Sequence, residues 1–197
     1  MTQHFTDIND PELVQLIKNG AVGVIPTDTV YGLVAQASNP DAIKAHYAVK
    51  NRELAPGTMI GPSVQSFAVL GFRQDQLDKV AHYWPAPLSV VLDATNVSDY
   101  LKHKRPALPV RIPDDAKLQK LLEQTGPLMT TSANRPGEPT STSVDEAIAY
   151  FGDSVDFYVN GGNLGVQPPS TIVGFDESDE LIVFREGAFP TTNLEQG

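Results

Sequence analysis

Two short pairs in the sequence carry the residue types that handle phosphate and nucleotide: Lys50 and Arg52 in Lys50-Asn51-Arg52, and Ser132 and Asn134 in Ser132-Ala133-Asn134. Lysine presents a point charge and arginine a planar fork of N–H donors, a combination suited to polyphosphate. If the segment after the preceding helix is extended, residues two apart project to one side, so both cations face one space. Serine and asparagine add a hydroxyl and a carboxamide without charge, groups that orient a ribose, a phosphate or an amide. Each pair also has a plainer explanation. Cations at a helix C-terminus complement its dipole, and Ser-x-Asn after a strand is common turn chemistry.

Three further places could bear chemistry. Pro26-Thr27-Asp28-Thr29-Val30-Tyr31-Gly32 follows an apolar strand and is read as leading into a helix; it either lines a site at the strand end or is a turn whose hydroxyls cap the backbone. Arg111, in Val110-Arg111-Ile112-Pro113, and Arg185, just past an apolar run, either reach solvent or meet an anion. Ser170-Thr171 is equally open to both readings. The chain has no cysteine, which excludes disulfides, thiolate nucleophiles and Cys-ligated zinc. Serine, lysine or a non-covalent mechanism must carry any reaction.

These residues sit among segments of two periods. Runs at 21–26, 88–92, 128–131, 155–159, 171–175 and 181–184 read as strands. Helices are predicted over 11–18, with Asp10 as N-cap and Pro11 at the first position, and from Asn39-Pro40 to about Val49. Two more follow Asp114-Asp115, where Leu118, Leu121 and Leu122 have helical spacing, and Ser143-Val144-Asp145-Glu146, a capping box opening a helix to about Phe151. The alternation predicts an α/β (α+β-like) fold, and the acidic turn at 176–180 predicts a closing antiparallel hairpin, hence a mixed sheet.

At 197 residues and 41% hydrophobic, the chain is expected to form one domain over 1–197, with a flexible tail from about 190. The 15 glycines and 16 prolines are spread as turn punctuation. The sequence has no basic-then-apolar leader and no run of about 18 apolar residues, so a soluble, cytoplasmic protein without membrane contact is expected. A net charge of -10 speaks against stable nucleic-acid binding. The basic run Lys102-His103-Lys104-Arg105 reads as a solvated loop. Residues 53–62, rich in Gly and Pro beside Lys50 and Arg52, are the natural candidate for a lid.

Taken in order, Ile25-Pro26-Thr27-Asp28-Thr29-Val30-Tyr31-Gly32-Leu33, Lys50-Asn51-Arg52, Val110-Arg111-Ile112-Pro113, Thr131-Ser132-Ala133-Asn134, Asn160-Gly161-Gly162, Ser170-Thr171-Ile172-Val173 and Arg185-Glu186-Gly187-Ala188 resemble the YrdC/TsaC family in its short form. The likeness runs from about residue 20 to 189, and the order of the segments carries it, not any one of them. The resemblance implies a nucleotidyltransferase that makes threonylcarbamoyl-AMP and pyrophosphate from L-threonine, bicarbonate and ATP, for tRNA N6-threonylcarbamoyladenosine modification. It implies a catalytic, ATP-binding tetrad at Lys50, Arg52, Ser132 and Asn134, with Arg185 on the nucleotide side. Threonine is implied near Thr27, Tyr31, Arg111 and Ser170.

The same resemblance implies a twisted mixed sheet with flanking helices and an open, positively lined cavity. It also implies Mg2+ brought in with ATP and no metal site of the protein's own, and a downstream threonylcarbamoyl-transferase complex as partner. The sequence departs from the family in two places: Glu53 stands where many members have proline, and Gly57-Thr58-Met59-Ile60-Gly61 contains no counterpart of their Pro-Leu-x-x-His histidine. Three alternatives are a YciO-like paralogue, which typically lacks intact K-x-R and S-x-N pairs, an RNA-binding or ribosome-associated module, and a carbamoyl-transfer domain such as those fused into larger hydrogenase-maturation chains.

Overall fold

The computed structural model describes residues 1–50 and 57–194. In chain order its elements are β1 (Gln3–Phe5), α1 (Pro11–Lys18), β2 (Gly23–Ile25), β3 (Gly32–Gln36), α2 (Pro40–Lys50), β4 (Thr58–Ile60), α3 (Val64–Val69), α4 (Gln74–Val80), β5 (Leu88–Asp93), α5 (Asp99–Lys102), β6 (Ala107–Arg111), α6 (Ala116–Thr125), β7 (Leu128–Ser132), α7 (Val144–Phe151), β8 (Phe157–Val159), β9 (Thr171–Phe175) and β10 (Leu181–Arg185). All strands join one sheet in the order β1-β8-β2-β3-β7-β4-β6-β5-β9-β10. Pairs β1/β8, β2/β8, β4/β6 and β5/β9 are parallel and the others antiparallel, so the sheet is mixed, and β9 and β10 form the expected hairpin.

Helix starts follow side-chain chemistry. The Asp10 carboxylate accepts the N–H of Glu12 at 2.8 Å, and Asp115 accepts that of Leu118 at 2.8 Å. At α7, Ser143 accepts the N–H of Glu146 at 3.4 Å, while the Glu146 carboxylate reaches Thr142 N–H at 2.7 Å, one residue before the usual reciprocal bond.

Three expectations are corrected. The polar motif at 26–32 leads into β3, not a helix, so it forms the β2–β3 connection. Lys50 is the last residue of α2, not part of an extended piece beyond it, and strand alternation therefore does not orient it. The lid expected at 53–62 does not hold for Thr58–Ile60, which form β4, hydrogen-bonded to β6 on one side and β7 on the other; residues 53–56 lie outside the described residues. At the carboxyl end, a 3₁₀ turn spans Thr191–Asn193, and half-buried Leu194 packs against the core.

Alternation along the strands sorts the core into two faces. Leu33, Met59 and Met129 join one cluster, with Ile43 and Tyr47 of α2. Their neighbours Val34, Ile60 and Leu128 join the other, with Leu13 and Ile17 of α1 and Leu118, Leu121 and Leu122 of α6. That second cluster takes no residue from β5, β6, β9 or β10. Helices α1 and α6 therefore cover only half of their face of the sheet, and a cavity lies over the other half. Among the described residues no helix is long and apolar enough to cross a membrane.

Candidate active site

The cavity has a volume of about 300 Å³. Its wall carries hydroxyls of Thr27 and Thr29 from the β2–β3 connection, Thr58 of β4, Thr130 and Ser132 of β7 and Ser170 before β9. Two guanidinium groups complete it: Arg111 ends β6 and Arg185 ends β10. Hydroxyls with two cations make a surface for an anionic, hydrogen-bonding ligand. Five of the residues expected from sequence, Thr27, Arg111, Ser132, Ser170 and Arg185, thus meet in one wall.

Arg111 is not a bare cation. Its Nη2 lies 3.0 Å from Oδ1 of Asp28, and the two side chains are 5% and 2% exposed. The ion contact lacks hydrogen-bond alignment, for both Asp28 Oδ1 and Arg111 Nε are buried without a hydrogen-bond partner. Burial pushes the Asp28 carboxyl above the usual carboxylate range, and the Arg111 charge and the Asp114 N–H draw it back. Burial likewise lowers Arg111, which Asp28 opposes and the nearby Arg185 charge reinforces.

Elsewhere in the wall, Arg185 Nη2 donates to the Ser170 carbonyl at 2.7 Å, and the Ser170 hydroxyl pairs with buried Ser89 at 2.9 Å. The return after β10 is pinned by Thr171, whose hydroxyl donates to Phe189 O and accepts from Gly187 N–H. A methyl group on Gly187 would sit 2.1 Å from Pro169 O and 2.7 Å from Ser170 O, backbone atoms that cannot swing aside. Gly187→Ala is expected to lose about 1–3 kcal/mol of stability, seen as a lower melting temperature; an unchanged melt would show that the return can shift freely.

The Lys50 ammonium, buried at the end of α2, donates to Ser132 O at 2.5 Å, to Asn134 O at 2.5 Å and to Asn134 Oδ1 at 2.6 Å. Ser132 Oγ also donates to Asn134 Oδ1 at 2.6 Å, and Asn134 Nδ2 donates to Glu138 O at 2.6 Å. Among the described residues, three oxygens accept from the ammonium, which carries three protons. Lys50, Ser132 and Asn134 form one network at the end of β7, touching the cavity through Ser132; Arg52 lies outside the described residues.

Tyr31 is placed differently from the expectation. Wholly buried, it is absent from the cavity wall, and its hydroxyl donates to Gly162 O at 2.7 Å and accepts Gly161 N–H at 2.9 Å. It anchors the loop after β8 to the β2–β3 connection. Thr27 does line the cavity, with its hydroxyl donating to Val30 O at 2.6 Å within the turn. The histidine that the resemblance expects falls at Gly61, which is not in the cavity wall, and a Cβ there would come within 2.6 Å of Ser66 Oγ and 2.8 Å of the Phe67 ring; Gly57 and Thr58, four and three residues earlier, are in the wall.

Two residues were missed from sequence. Asp28 stood inside a quoted motif, but only the fold brings it to Arg111, and Ser89 gave no signal beyond a polar residue inside an apolar strand. Among the described residues no group of three or more His, Cys, Asp or Glu is arranged to hold a metal ion.

Comparison with known proteins adds to this geometry. The family model Sua5_yciO_yrdC, described as "Telomere recombination", matches residues 15–187. A Methanocaldococcus jannaschii relative is 31% identical over 189 residues, covering 90% of this chain and 85% of its own. A Pseudomonas fluorescens relative named threonylcarbamoyl-AMP synthase is 30% identical over 160 residues, covering 79% and 86%. Among solved structures, P. abyssi Sua5 complexed with L-threonine superposes with a TM-score of 0.82 at 24% identity over 98% of this chain. The chain spans only 59% of that protein's length. E. coli YciO superposes with a TM-score of 0.83 at 24% identity, over 99% of this chain and all of YciO. At such identities the structural matches speak for the fold.

Proposed function

We propose that this chain, which belongs to the Sua5/YciO/YrdC family, is a nucleotidyltransferase that makes threonylcarbamoyl-AMP and pyrophosphate from L-threonine, bicarbonate and ATP. The observation that carries the reading is the convergence of Arg111, Arg185 and the Lys50–Ser132–Asn134 network around one hydroxyl-lined cavity. The relatives' name supplies the reaction that such a cavity would serve.

The reaction needs two steps. The threonine nitrogen attacks bicarbonate carbon, and loss of water leaves a carbamate. A carbamate oxygen then attacks the α-phosphorus of ATP, and pyrophosphate leaves. Neither step needs a protein nucleophile, which suits a chain without cysteine. Rate enhancement comes from holding the reactants in line and offsetting negative charge as it builds.

In this reading Arg111 takes the threonine carboxylate, with Thr27 and Ser170 beside it, and Tyr31 contributes by fixing the adjoining loop instead of touching threonine. Lys50 and Arg52 offset the phosphate and carbamate charges, Ser132 and Asn134 orient the nucleotide, and Arg185 serves its phosphate side. Because its three protons already have protein acceptors, Lys50 acts chiefly through its charge or by giving up Asn134 Oδ1. Magnesium enters as part of the ATP substrate. The product is consumed in the cytoplasm by a threonylcarbamoyl-transferase complex that modifies tRNA.

The end-to-end likeness to YciO favours a paralogue of other function as the second reading. The intact Ser132-Ala133-Asn134 and Lys50-Asn51-Arg52 pairs favour the first. Pyrophosphate release separates them: it should require threonine, bicarbonate and ATP together, and release independent of threonine would reject the synthesis.

A further inference from the structure

Asp28 stands behind the cavity wall. Its neighbours Thr27 and Thr29 line the cavity, while its own side chain is 2% exposed and lies against Arg111. Its second carboxylate oxygen faces the backbone N–H of Asp114 at 3.3 Å, which ties it to the segment between β6 and α6. The carboxylate is thus held by backbone on one side and holds one guanidinium nitrogen on the other. Arg111 Nε, buried and without a hydrogen-bond acceptor, remains unused.

We propose that Asp28 is the positioning and selectivity residue of the amino-acid carboxylate subsite, holding Arg111 by Nη2 so that its remaining N–H donors are offered to a carboxylate. The inference rests on the threonine reading above and names a residue that the reading does not need. Charge arithmetic gives Asp28 a second effect. Alone, Arg111 and Arg185 would present two cations to any polyphosphate entering the cavity. Paired with Asp28, Arg111 is close to neutral as a unit, so phosphate is drawn toward Arg185 and Lys50. A planar monoanion can still use the free donors of Arg111, because a guanidinium has five N–H groups in a fixed fork. Asp28 therefore keeps the two anionic substrates in separate halves of the cavity.

The test uses wild-type protein and the variants Asp28→Asn, Arg111→Gln and the double variant. Threonine-dependent pyrophosphate release gives apparent KM values for threonine and ATP, and inorganic phosphate serves as competitor. Asp28→Asn should raise the threonine KM about tenfold and leave the ATP KM within about twofold, as expected when the partner that orients a binding group is lost. Phosphate should become competitive with threonine in Asp28→Asn while showing no such competition in wild type. In the Arg111→Gln background, adding Asp28→Asn should change the threonine KM no further, because the residue it positions is gone.

A threonine KM unchanged in Asp28→Asn, an effect fully additive with Arg111→Gln, or equal rises in both KM values would overturn the proposal. If Asp28→Asn does not fold, Asp28→Glu keeps the charge and displaces it by one methylene. It should again raise the threonine KM selectively, and a wild-type value would be equally fatal. Wild-type protein that releases no pyrophosphate on adding threonine would sink the functional reading and this inference together. Active wild type with an indifferent Asp28→Asn would sink the inference alone.

Discussion

Lys50→Ala is expected to reduce threonine-dependent pyrophosphate release by about 100-fold or more, the usual scale for removing one well-placed group that stabilises developing negative charge. The structure adds a second consequence. Ser132 O keeps the Asn134 N–H and Asn134 Oδ1 keeps the Ser132 hydroxyl, but Asn134 O loses the Lys50 donor, and the ends of α2 and β7 lose the group that joins them. An acceptor left unsatisfied costs about 1–3 kcal/mol when buried, so the variant should also melt earlier. The two effects are separable. Activity is measured well below the variant's melting point, with circular dichroism showing folded protein, and Lys50→Met is run beside it to keep the apolar stem. Near wild-type rates in folded Lys50→Ala would remove Lys50 from the reaction.

Arg111→Ala should weaken apparent threonine affinity by about 100-fold and ATP affinity far less, as expected for truncating a buried, charge-paired group. It also leaves the Asp28 carboxylate buried without its counter-charge, a loss that typically costs about 3–5 kcal/mol. That cost has a defined pH dependence. Burial already raises the Asp28 carboxyl and Arg111 is the main influence lowering it, so removing Arg111 raises it further. An acid whose pKa is higher in the folded than in the unfolded state binds more protons when folded. Its stabilising contribution is present below the unfolded carboxylate range and is lost as pH rises through the folded value. Melting temperatures of Arg111→Ala should therefore fall more than those of wild type as pH rises above the unfolded aspartate value of about 4. A parallel pH profile, or an unchanged threonine KM, would contradict the placement of Arg111.

How much of this was legible in the sequence depends on the range of the interaction. Helix starts at Asp10, Asp115 and Ser143 are local hydrogen-bond chemistry, and they fall where the sequence places them. Strands β5, β7, β9 and β10 are apolar runs bounded by turns and were read nearly to the residue. Strands β1 and β4 were missed because three residues give too short a pattern, and β3 because the polar turn before it resembles a helix start. At the site, Arg111, Arg185 and Ser170 stood out as polar residues against apolar strands, and they share the cavity.

Other features of the site depend on distant partners. Nothing near Asp28 in the chain announces Arg111, and nothing near Lys50 announces the carbonyls of β7 and its following loop. Tyr31 looked like a ligand residue because it sits in the motif, yet the structure occupies its hydroxyl with the backbone of Gly161 and Gly162. The position of the expected histidine, Gly61, lies against Ser66 Oγ and the Phe67 ring, where a Cβ would come within 2.6–2.9 Å, and it is absent from the cavity wall.

The central claim is the identity of the product. Protein incubated with ATP, L-threonine, magnesium and carbon-labelled bicarbonate should yield a species with the mass of threonylcarbamoyl-adenylate that carries the label and disappears when threonine is omitted. Folded protein that consumes ATP but forms no labelled, threonine-dependent adenylate would contradict the account.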